Sequence, residues 1–293
     1  MNLDELTAGL PKTELVYLRG TTTQKGDSNV LRVVPEKRTH AYLILDRTVF
    51  HPKGGGQPSD KGTIHSTDCT LNIKKAIYHR GVVVHWAKIA SGTPNTGPVT
   101  CELNWPFRYL IMRRHTAAHL LDHCLSKTTE SQVQTTDSWL DEPCYVGYAG
   151  APPKPSALPQ VEQLANQMIS AGGKVKIDFL TGEARKKLLL NAPNFERLPD
   201  LDVVRTVTIE GCDPIPCGGT HVADIKEIVG LTVARAEETP DQNFRLHFQV
   251  KEADREIAPP MNSHLRLLFS RPNRFNTSRG ARSTTKRFPA TLT

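Results

Sequence analysis

Two short motifs about a hundred residues apart constrain this chain more than anything else in it: His115-Thr-Ala-Ala-His119 and Cys217-Gly-Gly-Thr-His221. The segment from about Phe107 to Ser126 carries Leu110, Ala117, Leu121 and Leu125 at near-helical spacing, with Ala118 and Cys124 widening the stripe. On such a helix His115 and His119 lie one turn apart on one face and can reach the same ion. Cys217 and His221, joined through a flexible Gly-Gly, can do likewise. An isolated HxxxH is more often a pair of histidines on a helix that merely packs. Two such pairs in one domain supply three imidazoles and a thiolate, a soft tetrahedral donor set that suits one zinc ion.

Three further side chains compete as ligands. His123 is four residues beyond His119, but His115 to His123 spans about 12 Å of helix, too far for one ion to engage all three. It reads as a polar helix position. Cys212 reads as a packed thiol and Cys124 as core. The first motif lacks the glutamate base of HExxH peptidases, since Thr116 and Ala117 follow His115. No carboxylate cluster points to a two-metal nuclease. Four protein ligands leave a closed structural zinc open as an alternative, because catalysis needs an open or expandable position.

Around the motifs the chain divides into an α+β arrangement of two domains and a tail. Residues 1–104 read as a small β-barrel-like domain: short apolar runs such as Ala41–Leu45 and Val82–Trp86 alternate with turn residues. Within it lies Gly54-Gly55-Gly56-Gln57-Pro58, a loop no regular element tolerates. Residues 105–252 read as an α+β domain. Its helices are expected over about Phe107–Ser126, Pro159–Ala171 and Gly182–Leu190, and its strands over Val175–Phe179, Val203–Ile209, Leu231–Arg235 and Arg245–Val250. Residues 253–293 read as a disordered basic tail. Seven basic residues and no acid between Ile257 and Thr293 account for the whole net charge of +7, so residues 1–256 are neutral. No apolar run approaches the roughly 18–20 residues of a membrane span. The acidic start Met1-Asn2-Leu3-Asp4-Glu5 lacks the features of a secretory signal. Six scattered cysteines fit thiols in a reducing compartment. A cytoplasmic protein without an obligate protein partner is expected.

Three stretches resemble one family. Arg108 to Leu121, containing both histidines, resembles the first zinc motif of the alanyl-tRNA synthetase editing domain, and Pro216–Val222 resembles its second. Phe50–Gly62 resembles the glycine-rich motif that precedes that domain. The chain leaves no room for an aminoacylation domain, so the resemblance is to freestanding editing factors of the AlaX type. It covers about residues 40 to 250; beyond Glu252 no family pattern is recognised. Asp137, Asp141, Glu142 and Pro143 dilute the strand pattern the family shows after its first zinc motif.

The resemblance implies hydrolysis of mischarged tRNA(Ala), seryl-tRNA(Ala) first and glycyl-tRNA(Ala) second. It assigns zinc to His115, His119, Cys217 and His221. Gly218, Gly219 and Thr220 then line the site, and Thr116 faces the amino acid. Thr135, with Gln134 next, is the expected substrate-binding residue. Gly54, Gly55, Gly56, Gln57 and Asp60 are expected to be structural or to discriminate tRNA. Lys53, Lys61, Arg113, Arg114, Arg185, Lys186 and Lys187 are candidate phosphate contacts. Two alternatives stay open: editing of another aminoacyl-tRNA, since threonyl-tRNA synthetase carries a similar HxxxH…CxxxH pattern, and a zinc-stabilised RNA-binding adaptor without catalysis.

Overall fold

The computed structural model describes residues 2–189, 192–194 and 202–253. A short helix α1 (Leu3–Thr7) and strand β1 (Glu14–Leu15) precede β2 (Lys25–Glu36), β3 (His40–Leu45), β4 (Arg47–Thr48), β5 (Gly62–His65), β6 (Thr70–His79), β7 (Val82–Ser91) and β8 (Gly97–Leu103). Six strands close into a barrel in the order β2-β3-β7-β6-β5-β8. Its core holds Val30, Leu43, Leu45, Ile64, Ile73, Val83 and Leu103. β3 is an unbroken apolar run because both its faces are covered. Ala41, Leu43 and Leu45 face the barrel core, while Tyr42 and Ile44 pack outside with Leu6 of α1, Val82 and Val84. Arg32 fixes α1 there by donating to the carbonyls of Leu6 at 2.8 Å and Ala8 at 3.1 Å.

Asn104 ends the barrel and starts the central helix: its side chain accepts the Phe107 N–H at 3.2 Å. Helix α2 (Trp105–Thr129) has 25 residues and is about 37 Å long. It is followed by β9 (Thr135–Trp139), β10 (Tyr145–Tyr148), α3 (Leu158–Ala171), β11 (Val175–Leu180), α4 (Gly182–Leu189), β12 (Val204–Ile209), β13 (Ile215–Pro216), β14 (Leu231–Glu238) and β15 (Phe244–Val250). Gly172 ends α3 with φ 83°, a conformation open to glycine. The strands form an antiparallel sheet β14-β15-β10-β9 and a smaller one, β11-β12-β13. Leu120, Leu121 and Leu125 of α2, Val161 and Ile169 of α3, and Leu246 and Phe248 of β15 share one core.

Barrel and helix–sheet body belong to one compact unit, with β8 ending at Leu103 and α2 starting at Trp105. Among the contacts that tie them are two joints at the glycine-rich segment. Asp60 of the glycine-rich segment and Arg108 of α2 form a buried ion pair, with Nε 2.9 Å from Oδ1. Arg108 Nη2 also donates to the Val49 carbonyl at 2.8 Å, and Asp60 Oδ2 accepts the His51 N–H at 2.6 Å. At the second joint the Gly56 carbonyl accepts from Leu140 N at 3.0 Å. Gly56 has φ 79°, and a Cβ there would sit 2.7 Å from the Ser138 carbonyl oxygen, so only glycine fits. Among the described residues no helix is long and apolar enough to cross a membrane. From residue 254 onward the basic tail, like Leu190 of the third expected helix, lies outside the described residues.

Candidate metal centre

Helix α2 presents His115 and His119 on one face, as the i, i+4 spacing requires. The loop after β13 supplies Cys217 and His221. β12 positions that loop: the Cys217 N–H donates to Arg205 O at 3.0 Å, and Arg205 Nη1 donates to Cys217 O at 2.5 Å. One donor atom from each of the four side chains lies within 4.8 Å of the others. Cys217 Sγ is 3.4 Å from His115 Nε2 and 3.3 Å from His221 Nε2. Donors around a tetrahedral zinc, with bonds of about 2.0–2.3 Å, stand about 3.4–3.6 Å apart. Both ring nitrogens of His119 are buried without a hydrogen-bond partner, as expected where a ligand atom awaits a metal. Donor chemistry, spacing and this orphaned imidazole fit a bound metal ion.

The outer nitrogens of His115 and His221 meet protein groups, and that of His119 stands near a carboxylate. His115 Nδ1 is 3.0 Å from Gln57 Oε1, His221 Nδ1 is 3.3 Å from Thr116 Oγ1, and His119 Nδ1 is 3.6 Å from Asp122 Oδ2. The partners of His115 and His221 fix ring orientation, so that Nε2 is the atom each offers to the ion. Burial alone would raise the Cys217 thiol, but His115 and His221 beside it hold it well below its ordinary range, favouring the thiolate. Gly219 passes so close to His115 that a Cβ would sit 2.1 Å from its Cε1. The Gly219 N–H donates to Cys217 Sγ at 3.3 Å.

His115, His119, Cys217 and Gly219 lie at the floor of a cleft of about 660 Å³, with His221 behind them. Of the expected site residues, His115, His119, Cys217, Gly218, Gly219 and Thr135 line it, and so do Gly54, Gly55 and Lys53. Thr135 begins β9 and donates from Oγ1 to the Pro193 carbonyl at 3.2 Å; Gln134 is exposed outside the cleft. Thr116 and Thr220 correct the expectation that they face a substrate. Thr116 is buried, donating to Met112 O at 2.9 Å and accepting from Val222 N at 3.3 Å, so it braces the ligand loop. Thr220 is equally buried, and its polar atoms are taken by Gln57: the N–H meets Oε1 at 3.0 Å and Oγ1 accepts from Nε2 at 2.9 Å. Gln57 therefore ties the glycine-rich loop to both halves of the metal centre.

Arg113 and Arg114 are also corrected as phosphate contacts. Arg113 is buried and donates to the carbonyls of Glu227 at 2.8 Å, Ile228 at 2.7 Å and Lys251. Arg114 donates to Leu140 O at 3.2 Å and pairs with Glu142. Each guanidinium is spent inside the fold. Lys53, Lys186 and Lys187 are exposed; Lys186 pairs with Glu183 at 2.7 Å, and Lys53 stands over the Trp139 ring at 5.0 Å. Lys61 stands over Phe107 at 4.2 Å. Cys124 is core and Cys212 packs at its edge, as expected; His123 is half-buried on α2.

Three residues escaped the sequence reading. Asp122 lies three residues past His119 and accepts from Tyr148 OH at 2.7 Å; the i, i+3 spacing was the available signal. Arg205 carried none. His51 lines the cleft, buried edge-on against Tyr17 at 4.9 Å, and burial pushes its pKa well below the ordinary value.

The family model described as class II (A) tRNA synthetases matches residues 14–106. An alanine–tRNA ligase of Methanococcus vannielii is 32% identical over 247 residues, covering 82% of this chain and 26% of the ligase. The alanyl-tRNA editing protein AlaX-M of Methanosarcina barkeri is 28% identical over 243 residues, 80% of this chain and 98% of that protein. The editing protein AlaX-L of Pyrococcus horikoshii is 29% identical across 80% of this chain and 57% of its own length. The chain thus spans about a quarter of the ligases it matches and nearly all of AlaX-M.

Proposed function

Taking this chain's kinship with the alanyl-tRNA editing proteins as the premise, we propose that it is a cytoplasmic trans-editing hydrolase that deacylates mischarged tRNA(Ala), seryl-tRNA(Ala) first and glycyl-tRNA(Ala) second. One zinc ion is held by His115, His119, Cys217 and His221. The observation that carries this reading is the convergence of those four donors, three of which (His115, His119 and Cys217) line a cleft, in a chain related along most of its length to editing proteins. When bound, the ion supplies a Lewis acid beside the ester and orients the substrate.

The chain's own residues do the rest. Gln57 and Thr116 hold the His115 and His221 imidazoles in orientation, and the Asp122 carboxylate stands 3.6 Å from His119 Nδ1. Gly218, where a Cβ would meet nothing, leaves room for an aminoacyl ester in the cleft, while Gly219 lets the loop close onto His115. Thr135 and Ser138 line the cleft wall. Such a polar lining offers a serine hydroxyl pairing that alanine cannot use, and that difference favours the seryl ester over the correctly charged tRNA.

One observation favours a second reading. Four protein donors around one ion complete a tetrahedron, the hallmark of a structural zinc, which fits an RNA-binding adaptor without catalysis. Release of serine from Ser-tRNA(Ala), with Ala-tRNA(Ala) as control substrate, separates the two. Rapid serine release with the alanyl ester intact supports editing. Binding of tRNA with the seryl ester surviving supports the adaptor.

A further inference from the structure

Two large aromatic side chains stand in the open where strand alternation calls for burial. On β6 the inward row runs Leu71, Ile73 and, across a bulge, Ala76, all buried; the next member, Tyr78, is 52% exposed. On β11, Val175, Ile177 and Phe179 share a face; Val175 packs against the core, while Phe179 is 45% exposed. Both rings line the cleft whose floor is the metal centre, one reaching it from the barrel and the other from the small sheet. Apolar rings left open on one cleft mark a binding surface rather than a packing remnant.

Cations accompany them. Arg19 is exposed, with its guanidinium carbon 5.8 Å from the Phe179 ring centre. Exposed Lys53 sits beside β6, its N–H bonded to the Ala76 carbonyl at 3.1 Å, and lines the same cleft. Among the described lining residues the one carboxylate, Asp122, is at the floor and engaged by Tyr148. Flat rings beside exposed cations suit unpaired nucleobases joined by phosphates: the rings stack on bases and the cations meet the backbone. An apolar peptide would leave the cations unused, and a free amino ester would leave the rings unused.

We infer that Tyr78 and Phe179 form a stacking platform for the unpaired nucleobases at the 3′ end of an RNA whose terminal aminoacyl ester reaches the metal centre. The inference rests on the deacylase reading for what lies at the floor. Its test does not depend on catalysis.

The probe is an uncharged, dye-labelled RNA hairpin with an unpaired 3′ extension, read by fluorescence anisotropy. Controls are the blunt-ended hairpin and one whose extension is abasic. Tyr78→Ala and Phe179→Ala should each weaken binding of the extended probe on the order of tenfold. They should have little effect on the blunt or abasic probes, and Tyr78→Phe should bind like the parent chain. On acylated substrate the alanine variants should raise KM and leave kcat unchanged. Alanine variants that bind the extended probe normally would overturn the platform, as would equal losses on all three probes or a parent chain that does not bind RNA. Ring-dependent binding without release of amino acid would sink the deacylase reading and leave the platform standing. Release with no dependence on either ring would do the reverse.

Discussion

Replacing Gln57 with alanine should loosen the metal centre without a change to any ligand. Gln57 is fully buried and spans the site from the glycine-rich loop. Its Oε1 meets His115 Nδ1 and Thr220 N, both at 3.0 Å, and its Nε2 donates to Thr220 Oγ1 at 2.9 Å. Truncation strands two buried N–H groups, each at roughly 1–3 kcal/mol where water does not replace the partner. It also frees the His115 ring to turn. Loss of a group that orients a ligating histidine typically lowers metal affinity about 10–100-fold. Gln57→Glu keeps the acceptors for both N–H groups and leaves the Thr220 hydroxyl free to rotate and donate, so its loss should be several-fold smaller. Zinc affinity measured by competition with a chromophoric chelator, alongside urea denaturation of metal-free protein, separates affinity from folding. Wild-type zinc affinity in a folded Gln57→Ala chain would refute the claim that the glycine-rich loop positions His115.

Other perturbations follow from the same geometry. Gly219→Ala puts a Cβ 2.1 Å from His115 Cε1 and 2.8 Å from Gln57 Oε1, so zinc affinity should fall at least about tenfold while the circular dichroism spectrum is retained; unchanged affinity would contradict it. Asp60→Ala leaves Arg108 charged and buried, which should cost about 3–5 kcal/mol in urea denaturation; a loss under 1 kcal/mol, on the order of a surface pair, would show the joint to be unimportant. His85 is fully buried beside Thr48 Oγ1 at 2.9 Å, and burial pushes its pKa down to about 4. Its neutral form is favoured in the fold, so its contribution is complete above about pH 6.5 and is lost as pH falls toward 4, about 3 kcal/mol in all. His85→Leu should flatten that part of the stability–pH curve, and an unchanged slope would rule His85 out as its source.

Much of the architecture was legible because it rests on local periodicity. The barrel strands at Ala41–Leu45 and Val82–Trp86, the helix carrying His115 and His119, and α3 between Pro159 and Gly172 all announce themselves through spacing, proline and glycine. The four donors were legible for a similar reason: each pair is a short-range pattern. What failed was long-range. Arg113 and Arg114 look like surface cations in sequence, yet their partners are carbonyls at Glu227, Ile228, Lys251 and Leu140, which only the packing of α2 brings near. Thr116 and Thr220 flank ligands, where sequence suggests contact with the substrate, but the Thr116 hydroxyl is taken by His221 and the Thr220 hydroxyl by Gln57. Gln57 carried a motif without a partner, since nothing local shows that its amide reaches His115 and Thr220.

The most direct test of the central claim is zinc titration into metal-stripped protein while serine release from Ser-tRNA(Ala) is followed under single-turnover conditions. Editing at this centre predicts negligible release from stripped protein, recovery that saturates at one zinc per chain, and no recovery in Cys217→Ala at the same zinc concentrations. Full release from stripped protein, or from folded Cys217→Ala, would contradict it and place the hydrolysis elsewhere.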